Sequence, residues 1–189
     1  APLQSILAAR KPMLITMAAG LTMEQIDTFA GGGFPVIRIM PNTPVAVGQG
    51  LTLYTANEWV SGEDLADFLS DMEYAGVMEP VAEYLFDAAG TVTGCGPAYV
   101  YMFIEAMADG GVLCGLPRAT AMEFAAQTLI GTAELMLQSG DHPGKMKDAV
   151  CSPGGSTLQG VRALEKGAFR SAITEAIIAT WEKNKEFAK

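Results

Sequence analysis

The sequence predicts an α/β segment followed by an all-helical domain, and three observations carry that expectation. Up to about residue 82, short β-branched runs alternate with amphipathic runs, the pattern of βαβ units. From residue 83 onward strand signals fade and long stretches with helical spacing take over. Half of the 189 residues are hydrophobic and 17% are charged, which suits a chain with buried cores and excludes a disordered one. The expected units are therefore residues 1–82 and 83–189.

The elements follow in order. The chain opens in helical style, and "KPMLITMAAG" (11–20) is a short apolar run ended by Gly20, consistent with a buried strand. "LTMEQIDTFA" (21–30) has Thr22 as an N-cap, with Met23, Ile26 and Phe29 on one helical stripe. "FPVIRIM" (34–40) is β-branched and stops at Pro41, which cannot donate to a ladder. "GLTLYTA" (50–56) reads as a strand. "SGEDLADFLSDMEYAG" (61–76) reads as a helix capped by Ser61, and "VMEPV" (77–81) as a last short strand. "VAEYLFDAAG" predicts a short helix. "GPAYVYMFIEAMADGGVLCG" (96–115) predicts a separate long one, apolar nearly all round, with Pro97 in its first turn. Helices are expected over 116–140, 156–167 and 168–187, with a short helix or turn in "HPGKMKDAV". An all-round apolar helix needs neighbours: either partner helices in an intertwined dimer, or burial at the centre of a monomer.

Composition excludes several classes. The net charge is −9, with no basic stripe for a phosphate backbone, so nucleic acid is not an expected partner. Three cysteines, Cys95, Cys114 and Cys151, are scattered and form no C-x-x-C pair, which suggests neither a disulfide framework nor a zinc site. A reducing, cytoplasmic setting fits them. The single His142 cannot anchor a metal cluster, and beside Pro143 it reads as a helix cap or surface residue. The most apolar run carries Glu105 and Asp109, so no membrane span is expected.

Two strand ends and one turn are candidates for chemistry. In "RIMPNTPVAVG" (38–48) a strand runs into a rigid loop, where Pro41 and Pro44 fix their own φ and hold Asn42 between them. "MAAGLT" (17–22) is a second strand end, with small residues that admit a flat ring. Ligands of open α/β sheets sit at the carboxyl ends of strands; the alternative is that both are plain strand-to-helix turns. "CSPGGSTLQG" (151–160) places two glycines and three hydroxyls ahead of a helix. Either Ser156 simply caps that helix, or the first-turn N–H groups form an anion nest suited to a small carboxylate. No G-x-G-x-x-G, P-loop or H-E-x-x-H occurs, and "GGG" (31–33) precedes a strand instead of following one. "TGCGPAY" (93–99) reads as a packing or hinge element, and Cys95 has no base beside it.

Taken in order, "VIRIMPNTPVAVGQG", "VTGCGPAYVYMFIEAMADGGVLCGLPRATA" and "KMKDAVCSPGGSTLQGVRALEKGAFRSAITEAI" closely resemble the pyrroline-5-carboxylate reductases, from about Pro12 to Ile178. The resemblance implies part of a Rossmann-type NAD(P)-binding domain over 1–82. Over 83–189 it implies an all-α dimerisation and substrate-binding domain of the 6-phosphogluconate dehydrogenase C-terminal-like type. It implies hydride transfer from NADPH or NADH to 1-pyrroline-5-carboxylate, giving L-proline, by a homodimer of interlocked helices that assembles further into a decamer. It assigns the substrate carboxylate to Val150, Ser152, Gly154, Gly155 and Ser156, and it assigns Thr157 to the ring nitrogen as the catalytic hydroxyl. Ala18, Ala19 and Gly20, with Met40, Pro41 and Asn42, would flank the nicotinamide. No metal is implied.

Thr93 and Cys95 stand where the family usually has serine, both small enough to preserve packing. The family's opening strand, glycine-rich turn and helix find no counterpart before Ala1, so weak dinucleotide binding by these residues alone is expected, and a truncated, inactive product is one alternative. A related dehydrogenase of another small carboxylate is the other.

Overall fold

The computed structural model describes residues 2–10, 12–18 and 20–187. In chain order the elements are α1 (Pro2–Arg10), β1 (Leu14–Thr16), α2 (Met23–Ala30), β2 (Val36–Met40), β3 (Gly50–Ala56), α3 (Gly62–Asp71), β4 (Gly76–Pro80) and α4 (Glu83–Leu113). Then come α5 (Arg118–Ser139), α6 (Pro143–Val150), α7 (Ser156–Lys166) and α8 (Phe169–Phe187). Short 3-10 turns lie at Thr43–Val47 and Glu73–Ala75. The chain divides into two compact units, one of residues 1–97 with 177–189 and one of residues 98–176. A partial Rossmann-like α/β region is thus followed by an all-helical one, as the sequence predicts. No described helix is long and apolar enough to cross a membrane.

In the first unit the sheet order is β1-β2-β3-β4. β1 and β2 are parallel, with Thr16 opposite Arg38, and β3 and β4 are parallel, with Leu53 opposite Glu79. Each pair is joined through a helix, α2 or α3, as parallel connections require. These are two βαβ units, as the sequence predicts, and β2 and β3, which join them, are antiparallel. The cause is length: the link over 41–49 holds only a 3-10 turn, too little chain for a crossover.

β2 is buried along nearly its whole length, and its alternation sorts the core. Val36 packs with Leu7, Met23, Ile26 and Phe34 on one side, while Ile37 and Ile39 pack with Phe68 on the other. Arg38 shares the face of Val36 and is only 3% exposed. Its guanidinium lies over the Phe86 ring at 4.5 Å, and Nη2 donates to Asp87 Oδ1 at 3.2 Å. Glu83 stands 3.8 Å from Nη1 and accepts the Met23 N–H at 2.6 Å, at the start of α2. A buried charge must be paired, and these partners fasten the first turns of α4 to the sheet.

The local signals for α2 and α3 act as expected. Thr22 and Gln25 form a reciprocal capping box, and Ser61 Oγ accepts the Asp64 N–H at 3.0 Å. The predicted helix break at residue 96 does not occur: α4 is one 31-residue helix with Pro97 inside it. Proline removes one helical hydrogen bond and crowds the carbonyl four residues earlier, here that of Thr93. That carbonyl has another donor, the side chain of Asn42 at 3.1 Å.

In the second unit small residues make the buried contacts. Ala108, Ala121 and Ala125 are buried, and a side chain at Gly111 would meet Ala121 Cβ at 3.2 Å. Phe103 and Phe169 meet as a tilted pair, 5.7 Å between centroids. Large apolar side chains stand outside: Tyr101, Met102, Phe124, Ile130 and Leu137 are all more than half exposed. The central-monomer-helix alternative is therefore not what this chain builds, because the apolar surface of its long helices faces solvent.

Candidate functional site

Within the sheet unit, parallel pairing brings the carboxyl ends of β1 and β2 side by side. Met17, Ala18 and Gly20 follow β1, and Met40, Pro41 and Asn42 close β2. Ala19 lies outside the described residues. Ala18 N–H donates to Thr16 Oγ1 at 3.2 Å, and Gly20 turns the chain at φ +75°. A positive φ is where glycine is favoured, because a Cβ is penalised there. The Asn42 side chain is engaged at both ends: Oδ1 accepts the Leu51 N–H at 2.9 Å and Nδ2 donates to Thr93 O. Met40 lies against α4 at Gly90, where a Cβ would collide with Met40 Sδ.

Within the helical unit, α6 ends at Val150 and α7 begins at Ser156. Between them Gly155 N–H donates to Ser152 O at 2.9 Å, with Pro153 and Gly154 as the central residues and Gly154 at φ +72°. Proline followed by a positive-φ glycine is the signature of a type II turn. Gly155 also needs to be glycine, since a Cβ there would lie 2.5 Å from Ser152 Oγ. Gly155 is the N-cap of α7, and no side chain caps the helix. The capping role considered for Ser156 is thereby corrected: Ser156 is the first helical residue, one position too late to cap. The N–H groups of Ser156, Thr157 and Leu158 have no acceptor within the helix, and the helix dipole places partial positive charge at the same mouth. Ser152, Ser156 and Thr157 are exposed there, and Val150, at the end of α6, is 67% exposed.

The basic side chains just upstream are already engaged. Lys145 pairs with Asp141 at 2.8 Å and Lys147 with Asp148. The hydrogen bond to Asp148 holds the Lys147 ammonium above its ordinary pKa. What the turn offers a ligand is thus mainly oriented amides and hydroxyls, a set matched to a single carboxylate. His142 caps α6, its Nδ1 accepting the Gly144 N–H at 3.0 Å, as its place beside Pro143 suggests. Among the described residues no group of three or more His, Cys, Asp or Glu side chains gathers as a metal ion would need.

Sequence reasoning passed over the Arg38, Glu83 and Asp87 group. The signal was present: one arginine inside the apolar run "VIRIM" must find anions if that strand is buried.

Comparison with known proteins agrees with this architecture. The family model for pyrroline-5-carboxylate reductase dimerisation matches residues 83–187, more than half of the chain. The pyrroline-5-carboxylate reductase of Escherichia coli (strain K12) is 46% identical over 177 residues, covering 94% of this chain and 66% of that protein. The Synechocystis enzyme is 47% identical over 184 residues, covering 96% of this chain and 67% of that protein. The chain therefore spans about two thirds of the length of these relatives. The crystal structure of the Plasmodium falciparum pyrroline carboxylate reductase with NADP bound superposes with a TM-score of 0.91 at 32% identity, over all of this chain and 75% of that one. The Streptococcus pyogenes enzyme gives 0.87 at 37% identity, over 92% of this chain and 67% of that one. The same overall fold thus recurs in solved enzymes of this name, and the chain belongs to the pyrroline-5-carboxylate reductase family.

Proposed function

We propose that this protein reduces 1-pyrroline-5-carboxylate to L-proline, with residues 1–82 holding the nicotinamide end of NADPH or NADH and residues 83–189 binding substrate and forming the dimer. The observation that carries the reading is the type II turn at Ser152–Gly155 leading into an uncapped helix. Main-chain N–H groups of Ser156 and Thr157 grip the substrate carboxylate, with the Gly154 and Gly155 backbone closing the nest and Ser152 and Val150 at its rim. Thr157 Oγ1 donates to the imine nitrogen and fixes the ring plane. The hydride adds to the imine carbon, the C=N π pair moves onto nitrogen, and the nitrogen takes its proton from solvent, so Thr157 orients the ring and no strong acid is needed there.

The cofactor side fits on its own geometry. The ends of β1 and β2 bring Ala18 and Gly20 beside Met40 and the backbone of Pro41 and Asn42, small groups against which a flat ring can lie. NADPH or NADH supplies the hydride when bound; these residues orient the ring for close approach. The exposed apolar faces of α4 and α5 are the surface on which a second copy of the chain docks, and a decamer of such dimers extends the same assembly.

Spectrophotometric turnover tests the reading. Oxidation of NADPH or NADH dependent on pyrroline-5-carboxylate, with none on 3-hydroxy acids in the reverse direction, is expected. Activity on 3-hydroxy acids alone would place the protein with related dehydrogenases instead.

A further inference from the structure

We infer that Asn42 is a positioning residue: its side chain fastens the Met40–Asn42 loop to α4, and Pro97 is what leaves α4 able to receive it. In an uninterrupted α-helix the Thr93 carbonyl would accept the N–H of residue 97. Proline has no N–H, so that carbonyl is orphaned inside a 31-residue helix. Asn42 Nδ2 fills the place at 3.1 Å. The neighbouring Thr93 Oγ1 is shielded from solvent and has no partner, so water does not readily substitute. The other end of the same amide accepts the Leu51 N–H at 2.9 Å, which ties the loop to the start of β3.

A second contact three positions earlier on the helix acts in the same direction. Gly90 leaves room for Met40, whose Sδ occupies the space a Cβ would take. Glu83, Phe86, Asp87 and Gly90 recur at helical spacing on the side of α4 that meets Arg38 and Met40. The loop is therefore set by α4 at two points, and one bond at each end of the Asn42 amide fixes how its side chain lies. This inference rests on the proposed reading of the loop as the nicotinamide edge, and its structural half is separately testable.

The test pairs Asn42→Asp with Pro97→Ala. Asn42→Asp keeps the acceptor for Leu51 but sets an oxygen against the Thr93 carbonyl. In urea unfolding it lowers the folding equilibrium constant about tenfold or more. In the Pro97→Ala background residue 97 regains an N–H for Thr93, and the penalty of Asn42→Asp shrinks by at least about threefold. An equal penalty in both backgrounds overturns the inference. If Asn42→Asp does not fold, Asn42→Ala reads the same coupling, with the same outcome required.

Steady-state kinetics reads the functional half. Asn42→Asp raises the KM for NADPH about tenfold while the KM for pyrroline-5-carboxylate changes less than about twofold, and Pro97→Ala restores most of the loss. A cofactor defect that Pro97→Ala does not relieve would show that Asn42 touches the cofactor itself, against a positioning role. Absence of any reductase activity in the unaltered protein defeats the proposed function, while the unfolding cycle still decides whether the clamp exists.

Discussion

The two units differ in what a single chain can finish. In the sheet unit Val36, Ile37 and Phe86 are fully buried, and even the charge of Arg38 is enclosed and paired. In the helical unit the buried positions are mostly alanines, and Phe124, Ile130 and Leu137 face solvent. The first makes its own core around one strand; the second leaves apolar side chains open, the surface that a second copy covers in the proposed dimer. Stability in the first therefore resides in intrachain contacts, and under the proposed dimer the second's is tied to protomer concentration.

The largest expected effect tests that contrast directly. Placing charge on the exposed apolar face, as in Phe124→Asp with Ile130→Asp, raises the dimer dissociation constant by about a thousandfold or more, read by light scattering across a dilution series. An unchanged constant would remove α5 from the interface. Thr157→Ala comes next. It lowers kcat/KM between about ten- and a thousandfold, no more than about 4 kcal/mol, while the dimer persists. Unchanged kinetics would take Thr157 out of the site.

Arg38→Ala addresses the other unit. Losing the stack on Phe86 and leaving Asp87 and Glu83 unpaired costs about 2–3 kcal/mol. That is less than a fully buried pair would lose, because both carboxylates are about 40% exposed. Urea denaturation should show it, with dimer affinity little altered. The smallest effect is Gly154→Ala, which puts a Cβ at φ +72° and strains the turn by roughly 1–2 kcal/mol. Weaker L-proline binding in titration calorimetry, with normal thermal stability of the sheet unit, is the expected result.

Much of the fold was legible because its determinants are local. Thr22 with Gln25 and Ser61 with Asp64 are caps written within four residues. Pro41 ends β2, and Gly140 ends α5 with φ +65°. What was hidden depends on distant partners. Pro97 reads as a helix start until Asn42, 51 residues before Thr93, supplies the missing donor. The antiparallel step from β2 to β3 follows from a link whose 3-10 turn carries no strong signature. At the site, the glycines and hydroxyls of 152–157 were visible, but whether Ser156 capped α7 hung on a single residue of register. Gly155 takes that place, and this leaves the helix mouth uncapped.

The central claim is that those uncapped amides hold a carboxylate. A crystal structure of the protein with L-proline tests it most directly. The account predicts the proline carboxylate within hydrogen-bonding distance of the Ser156 and Thr157 N–H groups, with the ring nitrogen facing Thr157 Oγ1. Proline seated elsewhere, with the Ser152–Thr157 turn empty, would contradict it.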